Sequence, residues 1–560
     1  MLTRFKTVIH PHILPLIFLV LFGLISLYSI FNPGMMQTHD GLWQVQRATA
    51  MLDTLKAGQF PARWAFKQDN DYGVPLFNFV YPGPYYLTTP LMLMGIVNIT
   101  AIKIITILIY LSGGLGMYYL FRRHRFIAVC VAILYLLNPY QFVNIFVRGA
   151  IGETMVIGLA PWILASTIEL KNRTLRWYDP MIFALALISH NFLGLLLGAM
   201  ILVYGVFLGS WKKTVLYISL SLGLAAFFLL PMIVERGNLI SDATGNFSYI
   251  WSDHFIYPWQ LIYSKWDYWY SMPGDVQDGM TFQLGFANIA VLLIYLGWYI
   301  SRFRRFLVSE RLIYGYWIIA ATLLILAMVP QGRFIWEMFP VLQTMQFPWR
   351  LLGLMTVVSG FAAGIILTQR ISHHRLSGLV LAVLLVILAV SNTRNYHRPI
   401  KTLSGEEFRI LNDVFADKTT TASRSEITPR WAPDERYQPL SLRLFSPRLG
   451  ILDGNAEINS ATDNPGDITF QATAENERAT AISYRNYYPM WHATIDGKPL
   501  VITPTGSGEI SIPLTEGVHE YHIYLSNTPS MLIGNILSIT SLLIVAILPL
   551  VTKKSGKRKN

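Results

Sequence analysis

The chain has 560 residues, of which 53% are hydrophobic and only 14% are charged, and its net charge is +12. A soluble domain carries about 25% charged residues, so this composition excludes an ordinary soluble enzyme, a disordered chain and a fibrous one, and favours a membrane protein. The single cysteine, Cys130, excludes an internal disulfide. The charge is typical of either a nucleic-acid-binding protein or a membrane protein with basic cytoplasmic loops, and the positions of the basic residues distinguish the two.

Apolar segments account for most of the chain. A membrane-spanning helix needs about 20 apolar residues, and fewer where neighbouring protein covers it. By this criterion the sequence predicts about twelve spans, near residues 12–31, 99–121, 126–140, 153–170, 180–190, 192–209, 214–233, 284–301, 312–330, 350–368, 376–391 and 530–551. The stretch 84–98 is also apolar, but Pro84 and Pro90 interrupt it, which favours a re-entrant or interfacial helix.

The basic residues cluster in alternate connections between these spans, for example at Arg122–Arg125, Arg302–Arg311 and Lys553–Lys559. Such clusters mark the cytoplasmic side, so both termini are predicted to be cytoplasmic and no nucleic acid is expected as a partner. The first span has a basic start like a signal peptide. No small-residue cleavage site follows it at Phe31–Gly34, so an uncleaved anchor is predicted.

Three longer segments are then predicted to lie outside, at 31–98, 234–283 and 392–529. The second is rich in Trp and Tyr, which favours an interfacial aromatic belt over a sugar-stacking platform. The third has a helical start over Gly405–Ala416, and strand-like alternation follows at 481–484, 493–495, 509–512 and 520–525. Asp496-Gly497 between two such runs predicts a hairpin, and the whole predicts a small β-sandwich.

The predicted organisation therefore has three parts. Residues 1–391 form a membrane module with outward loops 31–98 and 234–283. Residues 392–529 form an extracytoplasmic domain that is mainly β, and residues 530–560 form a last span with a basic cytoplasmic tail.

Polar residues recur at the outward ends of the spans. They are His39 and Asp40 after the first span, Arg148 and Glu153 between the third and fourth, Ser189 to Asn191 between the fifth and sixth, Gln283 before the eighth, and Arg350 at the start of the tenth. Charged groups at such positions are costly and often mark function. A transporter more often places them near the bilayer midplane, so this one-sided arrangement favours a site for a lipid headgroup.

Each of these residues also has a purely structural interpretation. Asp40 is a candidate N-cap for a helix over Gly41–Ala57. Arg148 and Glu153 are close enough in sequence to form a structural ion pair. His190 suits a turn, and Arg350 suits an interfacial anchor that extends towards headgroups.

Seven short motifs, taken in order, carry a resemblance to a known family. They are T-H-D-G (Thr38–Gly41), F-P-A-R-W (Phe60–Trp64), D-Y-G-V-P (Asp71–Pro75), F-N-F-V-Y-P-G-P-Y-Y (Phe77–Tyr86), R-G-A-I-G-E (Arg148–Glu153), S-H-N (Ser189–Asn191) and Q-F-P-W-R (Gln346–Arg350). The series resembles bacterial membrane proteins labelled "6-pyruvoyl-tetrahydropterin synthase-related". It is also similar, over about residues 10–391, to the GT-C superfamily of polyprenyl-phosphate-sugar-dependent glycosyltransferases. Tyr487–Lys498 resembles the outer β-domain of related glycosyltransferases.

The resemblance implies a glycosyltransferase of the bacterial cell envelope that uses a polyprenyl-phosphate-linked sugar at the outer face of the inner membrane. Asp40 would be the general base, with His39 beside it. Arg148, Arg350, His190 and Asn191 would bind the donor phosphate or sugar. The expected supporting residues are Glu153, Arg63, Tyr85 and Gln283.

Some members of the superfamily use a divalent metal, but Leu42 stands where a second carboxylate would be needed, so the sequence has no strong metal motif. Two alternatives to the enzyme remain. One is a transporter or flippase of a lipid-linked saccharide, and the other is a non-catalytic envelope scaffold.

Overall fold

The computed structural model describes residues 2–69, 71–240, 250–274, 278–408, 427–432 and 448–556. Its longer helices are α1 (Leu2–Ser26), α2 (Gly41–Lys56), α3 (Gly83–Leu93), α4 (Asn98–Phe121), α5 (Arg125–Leu136), α6 (Ile151–Glu169), α7 (Tyr178–Leu187), α8 (Asn191–Phe207), α9 (Trp211–Val234), α10 (Phe286–Arg302), α11 (Val308–Met328), α12 (Leu352–His373), α13 (Arg375–Thr393) and α14 (Pro529–Gly556). Short helical turns lie at Leu76–Phe79, Pro139–Phe142, Pro258–Ile262 and Arg333–Met338.

Within the described residues, seven helices are long and apolar enough to cross a membrane: α4, α6, α9, α11, α12 with its preceding turn, α13 and α14. An eighth candidate is a bent pair, in which α5 and Pro139–Arg148 meet at 49°. Shorter apolar helices occupy the other four predicted positions, at Pro11–Ser26 and in α7, α8 and α10. The helical membrane module is therefore confirmed, while the number of about twelve spans stays a prediction.

The helices α6 and α12 are the most buried of these candidate spans and form the centre of the bundle. The helix α4 packs closely on α6 because glycines lie where the two cross. A Cβ atom on Gly158 would come within 2.3 Å of the Ile109 carbonyl oxygen, and one on Gly113 would lie 3.3 Å from the Gly158 Cα atom. Small residues of this kind let apolar helices approach each other closely.

The β-rich part contains two antiparallel sheets. Its strands are β3 (Leu449–Asp453), β4 (Ala456–Asn464), β5 (Asp467–Ala474), β6 (Thr480–Asn486), β7 (Trp491–Ile495), β8 (Lys498–Leu500), β9 (Thr503–Pro504), β10 (Glu509–Pro513) and β11 (Gly517–Leu525). The strand orders are β3-β6-β10-β9 and β4-β5-β11-β7-β8. Both sheets contribute side chains to one core, for example Ile512 and Ile523, so the predicted β-sandwich is confirmed.

The predicted hairpin is also present. Ile495 of β7 pairs with Lys498 of β8, and both loop residues, Asp496 and Gly497, have positive φ. This is the two-residue turn that an Asp-Gly sequence favours. The predicted helix over Gly405–Ala416 begins as expected at Gly405, but its part beyond residue 408 lies outside the described residues.

The first long loop holds the β-sandwich against the helices. Trp64 lies in the sandwich core and meets Trp491 edge to face at 5.9 Å. The buried Asn486 amide donates to Asp69 Oδ2 at 2.8 Å and to the Gly73 carbonyl at 2.7 Å. Because these contacts are buried and directional, they fix the loop relative to the sandwich.

A second set of contacts fixes the same sandwich to the membrane helices. Glu235, just after α9, is buried and accepts hydrogen bonds from Tyr488 Oη at 2.6 Å and from the Thr528 and Ser530 hydroxyls. A two-residue strand β1 (Met35–Met36) also pairs antiparallel with β2 (Thr402–Leu403). This pairing joins the start and the end of the membrane module beside the T-H-D-G loop.

Candidate functional site

The T-H-D-G loop lies directly on the end of the bent helix. The His39 amide donates to the Val147 carbonyl at 3.0 Å, and the Asp40 amide donates to the Arg148 carbonyl at 2.8 Å. Gly149 follows with φ +67°, and a Cβ atom there would lie 2.3 Å from Thr38 Oγ1. Glycine at this position therefore permits both the left-handed turn and the close approach of the loop.

The bent helix aligns three polar side chains. Its second half begins after Asn138–Pro139 and becomes a π-helix over Val143–Arg148, a feature often found at functional sites. Tyr140, Asn144 and Arg148 follow each other at four-residue spacing. Arg148 Nη1 lies 2.7 Å from Asn144 Oδ1 and 3.2 Å from Tyr140 Oη. Tyr140 and Asn144 were not among the predicted site residues. Their four-residue spacing before Arg148 nevertheless indicates that they lie on the same face of the helix as Arg148.

Glu153, at the start of α6, is the centre of a buried polar cluster. Its Oε1 lies 2.8 Å from Arg148 Nη2 and 3.2 Å from Arg350 Nε, and its Oε2 accepts from Tyr140 Oη at 2.7 Å. His190 Nε2 lies 3.8 Å from Glu153 Oε1. We call these five residues the Glu153 cluster. It contains two guanidinium groups and one carboxylate, and therefore one positive charge in excess.

The contacts decide between some of the structural interpretations. Arg148 and Glu153 do form an ion pair, and His190 Nδ1 caps α8 by accepting from the Leu193 amide at 3.3 Å. Asp40 occupies the N-cap position of α2, but its side chain makes no capping hydrogen bond. Arg350 faces Glu153 and donates to the Met345 carbonyl at 2.8 Å, so its contacts lie within the protein.

The Asp40 carboxylate has no hydrogen-bond partner within the described part of the chain. It is half-buried, makes no side-chain hydrogen bond there, and interacts electrostatically with Arg148, Arg47 and His39. Burial acts to lower the pKa of Arg47, but attraction from Tyr85, Tyr81 and Asp40 outweighs it and raises that pKa above its ordinary value. Arg47 is therefore a permanent positive charge near Asp40.

His39 joins this site to the aromatic loop. Its Nε2 donates to the Tyr268 carbonyl at 3.0 Å, and its ring stacks on Tyr270 with centroids 4.3 Å apart. Burial lowers the pKa of His39 below its ordinary 6.5, so the ring is neutral at pH 7. Trp349 lies between the same loop and the Glu153 cluster, because its ring covers Arg148 at 4.6 Å and its Nε1 donates to Ser271 Oγ at 3.2 Å.

A groove with mainly apolar walls opens beside the T-H-D-G loop, and the space within it, its open mouth included, is about 480 Å³. It lies between the T-H-D-G loop, α4 and the start of α6, and is lined by Met35, Met36, Thr38, Gly41, Gln44, Val45, Ile99, Ile102, Lys103, Thr106, Asn144, Ile145, Gly149, Ile151 and Thr154. Asn144 is 1% exposed, and its Nδ2 has no hydrogen-bond partner in the described structure. The groove therefore offers one free amide donor and one cation, Lys103.

Four of the predicted site residues do not contact the Glu153 cluster. Arg63 donates to the Phe227 carbonyl and to Asn535 Oδ1, Asn191 contacts the Met232 sulfur, and Gln283 bonds to Ser264 and Tyr396. Tyr85 is connected only indirectly, because it donates to Gln44, which donates to the Gly149 carbonyl. Their contacts are those of residues that stabilise the loops around the site.

Among the described residues, no group of three or more His, Cys, Asp or Glu side chains is arranged to hold a metal ion. Glu153, the other carboxylate of the candidate site, is already paired with two arginines. These residues do not fit a divalent metal site.

A family model described as "6-pyruvoyl-tetrahydropterin synthase related domain; membrane protein" matches residues 77–397, more than half of the chain. The chain belongs to this family of membrane proteins. The matched segment includes the whole Glu153 cluster, whereas His39, Asp40 and Arg63 precede it. No curated protein sequence matches the chain.

Two solved structures are similar at 12% sequence identity. One is the oligosaccharyltransferase from Archaeoglobus fulgidus in the apo form, with a TM-score of 0.44; the match covers 73% of this chain and 56% of that one. The other is the arabinofuranosyltransferase AftD from Mycobacteria, with a TM-score of 0.40 and coverages of 69% and 27%. The chain therefore spans just over half of the first structure and about a quarter of the second.

Proposed function

We propose that the protein is a GT-C-type membrane glycosyltransferase, which transfers a sugar from a polyprenyl-phosphate donor to an acceptor at the outer face of the bacterial inner membrane. Asp40 is the general base in this proposal. The Glu153 cluster, through Arg148 and Arg350, is the electrostatic partner of the donor phosphate.

The proposal depends most on the Asp40 carboxylate, which is unpaired while its backbone is held in place. It lies in the first long loop and makes no side-chain hydrogen bond in the described structure, yet its backbone is fixed to Arg148 at the mouth of an apolar groove. Fixing a base on a rigid backbone while its carboxylate stays unpaired suits proton abstraction from a bound hydroxyl.

The reaction assigned to the site has two parts. The acceptor oxygen forms a bond to the anomeric carbon while the bond from that carbon to the phosphate oxygen breaks, and Asp40 takes the acceptor proton. The leaving phosphate gains negative charge, which the one excess positive charge of the Glu153 cluster stabilises. Arg350 is suited to this contact, because its Nη2 makes no hydrogen bond within the described residues and its side chain is 19% exposed.

The groove beside the T-H-D-G loop is assigned to the first part of the lipid chain. Its walls are formed mainly by Met, Val and Ile, and two of its polar groups, the Lys103 ammonium and the unpaired Asn144 Nδ2, suit oxygens of the phosphate ester. Lys103 also donates to the Asn32 carbonyl at 2.7 Å, which holds it at the groove.

A transporter or flippase is the second candidate. The ionisable cluster lies at helix ends, at the end of the π-helix and at the starts of α6, α8 and α12, rather than in the middle of spans. Transporters more often build their sites on interrupted helices near the midplane, so this location favours the enzyme.

The test compares Asp40→Asn with the wild type in liposomes that contain radiolabelled polyprenyl-phosphate-linked hexoses and pentoses. Asp53→Asn is the matched control, because Asp53 lies on the helix that Asp40 precedes and, among the described residues, forms its ion pair with the exposed Lys67 at 2.8 Å. We expect Asp40→Asn to lower sugar transfer by about 100-fold or more and Asp53→Asn to leave it unchanged.

Three outcomes would overturn the proposal. Equal transfer by Asp40→Asn and wild type would remove Asp40 as the base. Movement of the labelled lipid across the bilayer without a new glycosidic bond would establish the transporter. Absence of both transfer and movement with every donor would favour a scaffold.

A further inference from the structure

Two exposed aromatic rings lie beside the T-H-D-G loop. Trp269 is 61% exposed and Tyr270 is 51% exposed, and their rings meet edge to face with centroids 5.5 Å apart and planes at 69°. We infer that these two rings form a platform for a sugar ring of the acceptor, so that the acceptor is a saccharide. The inference rests on the proposed function, because it assigns the second substrate of the same site.

Backbone contacts hold the segment that carries the two rings. Scattered exposed aromatic residues without such contacts are common and need no explanation. The Trp269 amide donates to the Gly279 carbonyl at 2.8 Å, and the Gly279 amide donates to the Tyr270 carbonyl at 3.1 Å. A Cβ atom on Gly279 would lie 2.0 Å from the Trp269 Cβ atom, so the glycine makes room for the Trp269 side chain. Asp267 Oδ1 accepts a hydrogen bond from the Tyr268 amide in the same segment at 2.8 Å.

The position of the platform relative to Asp40 supports an acceptor rather than a donor. Tyr270 stacks on His39, the residue next to Asp40, whereas the apolar groove meets the loop at Thr38 and Gly41. The T-H-D-G loop therefore contacts the groove through Thr38 and Gly41 and the aromatic rings through His39. A hydroxyl of a sugar held on the rings could reach Asp40 while the lipid chain occupies the groove.

The chemistry of two rings at a steep angle fits a sugar better than a flat apolar partner. A sugar ring presents C–H groups from one face to an aromatic surface, and its hydroxyls need polar partners around the rim. Asp40 is one such partner, and the exposed Lys265 and Asp267 flank the rings.

The same loop offers a matched control. Trp259 is 54% exposed and stacks on Tyr257 at 4.8 Å, on a short helix beside the exposed Ile262 and Tyr263. Its ring contacts neither His39 nor Tyr270. Trp259 therefore has the surroundings of a belt residue, and Trp269 has those of a ligand platform.

The experiment measures transfer by full-length protein in liposomes while the acceptor concentration is varied, using a panel of hexose and pentose disaccharides. We expect Trp269→Ala and Tyr270→Leu to raise KM for the acceptor by about fivefold to tenfold, with little change in kcat or in KM for the donor. Trp259→Ala should behave like the wild type, because Trp259 lies outside the platform. Equal effects of Trp269→Ala and Trp259→Ala, or a rise only in KM for the donor, would overturn the platform.

A binding measurement separates this inference from the proposed function. Saturation-transfer NMR with the same disaccharides, recorded on Asp40→Asn protein with and without Trp269→Ala, needs no catalysis. Binding that depends on Trp269 supports the platform even if no transfer is ever detected. Transfer to a peptide acceptor, together with no disaccharide binding, would overturn the platform and leave the glycosyltransferase intact.

Discussion

At the scale of single residues, two carboxylates near the site differ in their surroundings. Glu153 is 1% exposed and contacts Arg148, Arg350 and Tyr140, whereas Asp40 is half-buried and makes no side-chain hydrogen bond in the described chain. A buried carboxylate that is already paired cannot easily accept a further proton. In the proposed reaction Glu153 therefore positions the arginines and Asp40 is the base.

We expect Glu153→Gln to destabilise the protein strongly, because it leaves the buried Arg148 with an unpaired charge. Loss of one partner of a buried ion pair costs about 3–5 kcal/mol in free energy of unfolding. Unfolding by SDS titration in mixed micelles measures this cost. Glu169→Gln is the control: Glu169 is 24% exposed and pairs with Arg173 and Arg176, so it should cost only about 1 kcal/mol. If both variants lost the same free energy of unfolding, the buried ion pairs of Glu153 would contribute no more to stability than the more exposed pairs of Glu169.

At the scale of elements, the bent helix and the T-H-D-G loop form one unit. The π-helix ends at Arg148, and the left-handed Gly149 then directs the chain into α6. The loop places its amides on the carbonyls of that π-helix end. The R-G-A-I-G-E motif therefore supplies two charged groups of the cluster, Arg148 and Glu153, and the carbonyl that binds the Asp40 amide.

We expect Gly149→Ala to reduce activity far more than stability, because a Cβ atom there would displace Thr38 and with it Asp40. A non-glycine residue in a left-handed conformation costs about 1–2 kcal/mol by itself. Gly58→Ala isolates this backbone cost, since Gly58 has φ +82° and nothing within 4 Å of the added atom. Transfer rate and SDS unfolding are measured for both variants. If Gly58→Ala lost as much activity as Gly149→Ala, the contact with Thr38 would be irrelevant.

At the scale of the whole molecule, the β-sandwich is bound to the site loop and to the helices. Asn486 bonds to Asp69 and Gly73, and Arg448 Nη2 pairs with Asp71 Oδ2 at 2.8 Å. The loop that carries Asp40 at its start thus carries the docking surface for the sandwich further along. Displacement of the sandwich is expected to disturb the site through this loop.

We expect Asn486→Ala to loosen the sandwich, since it removes two buried hydrogen bonds and leaves Asp69 with one fewer donor. The expected loss is about 1–3 kcal/mol, together with faster proteolytic cleavage between the sandwich and the helices. Asn459→Ala is the control, because Asn459 is exposed and its side chain donates a single hydrogen bond within the described structure, to Thr473 Oγ1 at 2.9 Å. Identical cleavage of the two variants would show that Asn486 does not hold the sandwich in place.

Much of the fold could be predicted because it depends on strong local signals. Apolar length identified the membrane helices, and Asp496-Gly497 identified a hairpin that the structure contains. The π-helix over Val143–Arg148 could not be predicted, because its local sequence does not distinguish it from an ordinary α-helix. Tyr140 and Asn144 could have been predicted, because their four-residue spacing before Arg148 places them on the same helix face.

The candidate site was predicted in part for a similar reason. Charged residues at span ends are rare, so Arg148, Glu153, His190 and Arg350 stood out, and the structure brings them together. Arg63, Asn191 and Gln283 also stood out, but polar groups beside membrane helices have backbone partners as well as ligands. Sequence alone does not distinguish these two uses, and in the structure these three are engaged with neighbouring segments.

The pairing of Met35–Met36 with Thr402–Leu403 has a consequence for how the protein is made. The ribosome completes the T-H-D-G loop early, but the strand that pairs beside it is synthesised only after most of the membrane helices have been inserted. The hydrogen bond from Arg63 to Asn535 likewise forms late, because Asn535 lies on the last helix. A truncated or stalled chain therefore lacks both contacts even when every residue of the Glu153 cluster is present, and we expect its first long loop to be held less firmly.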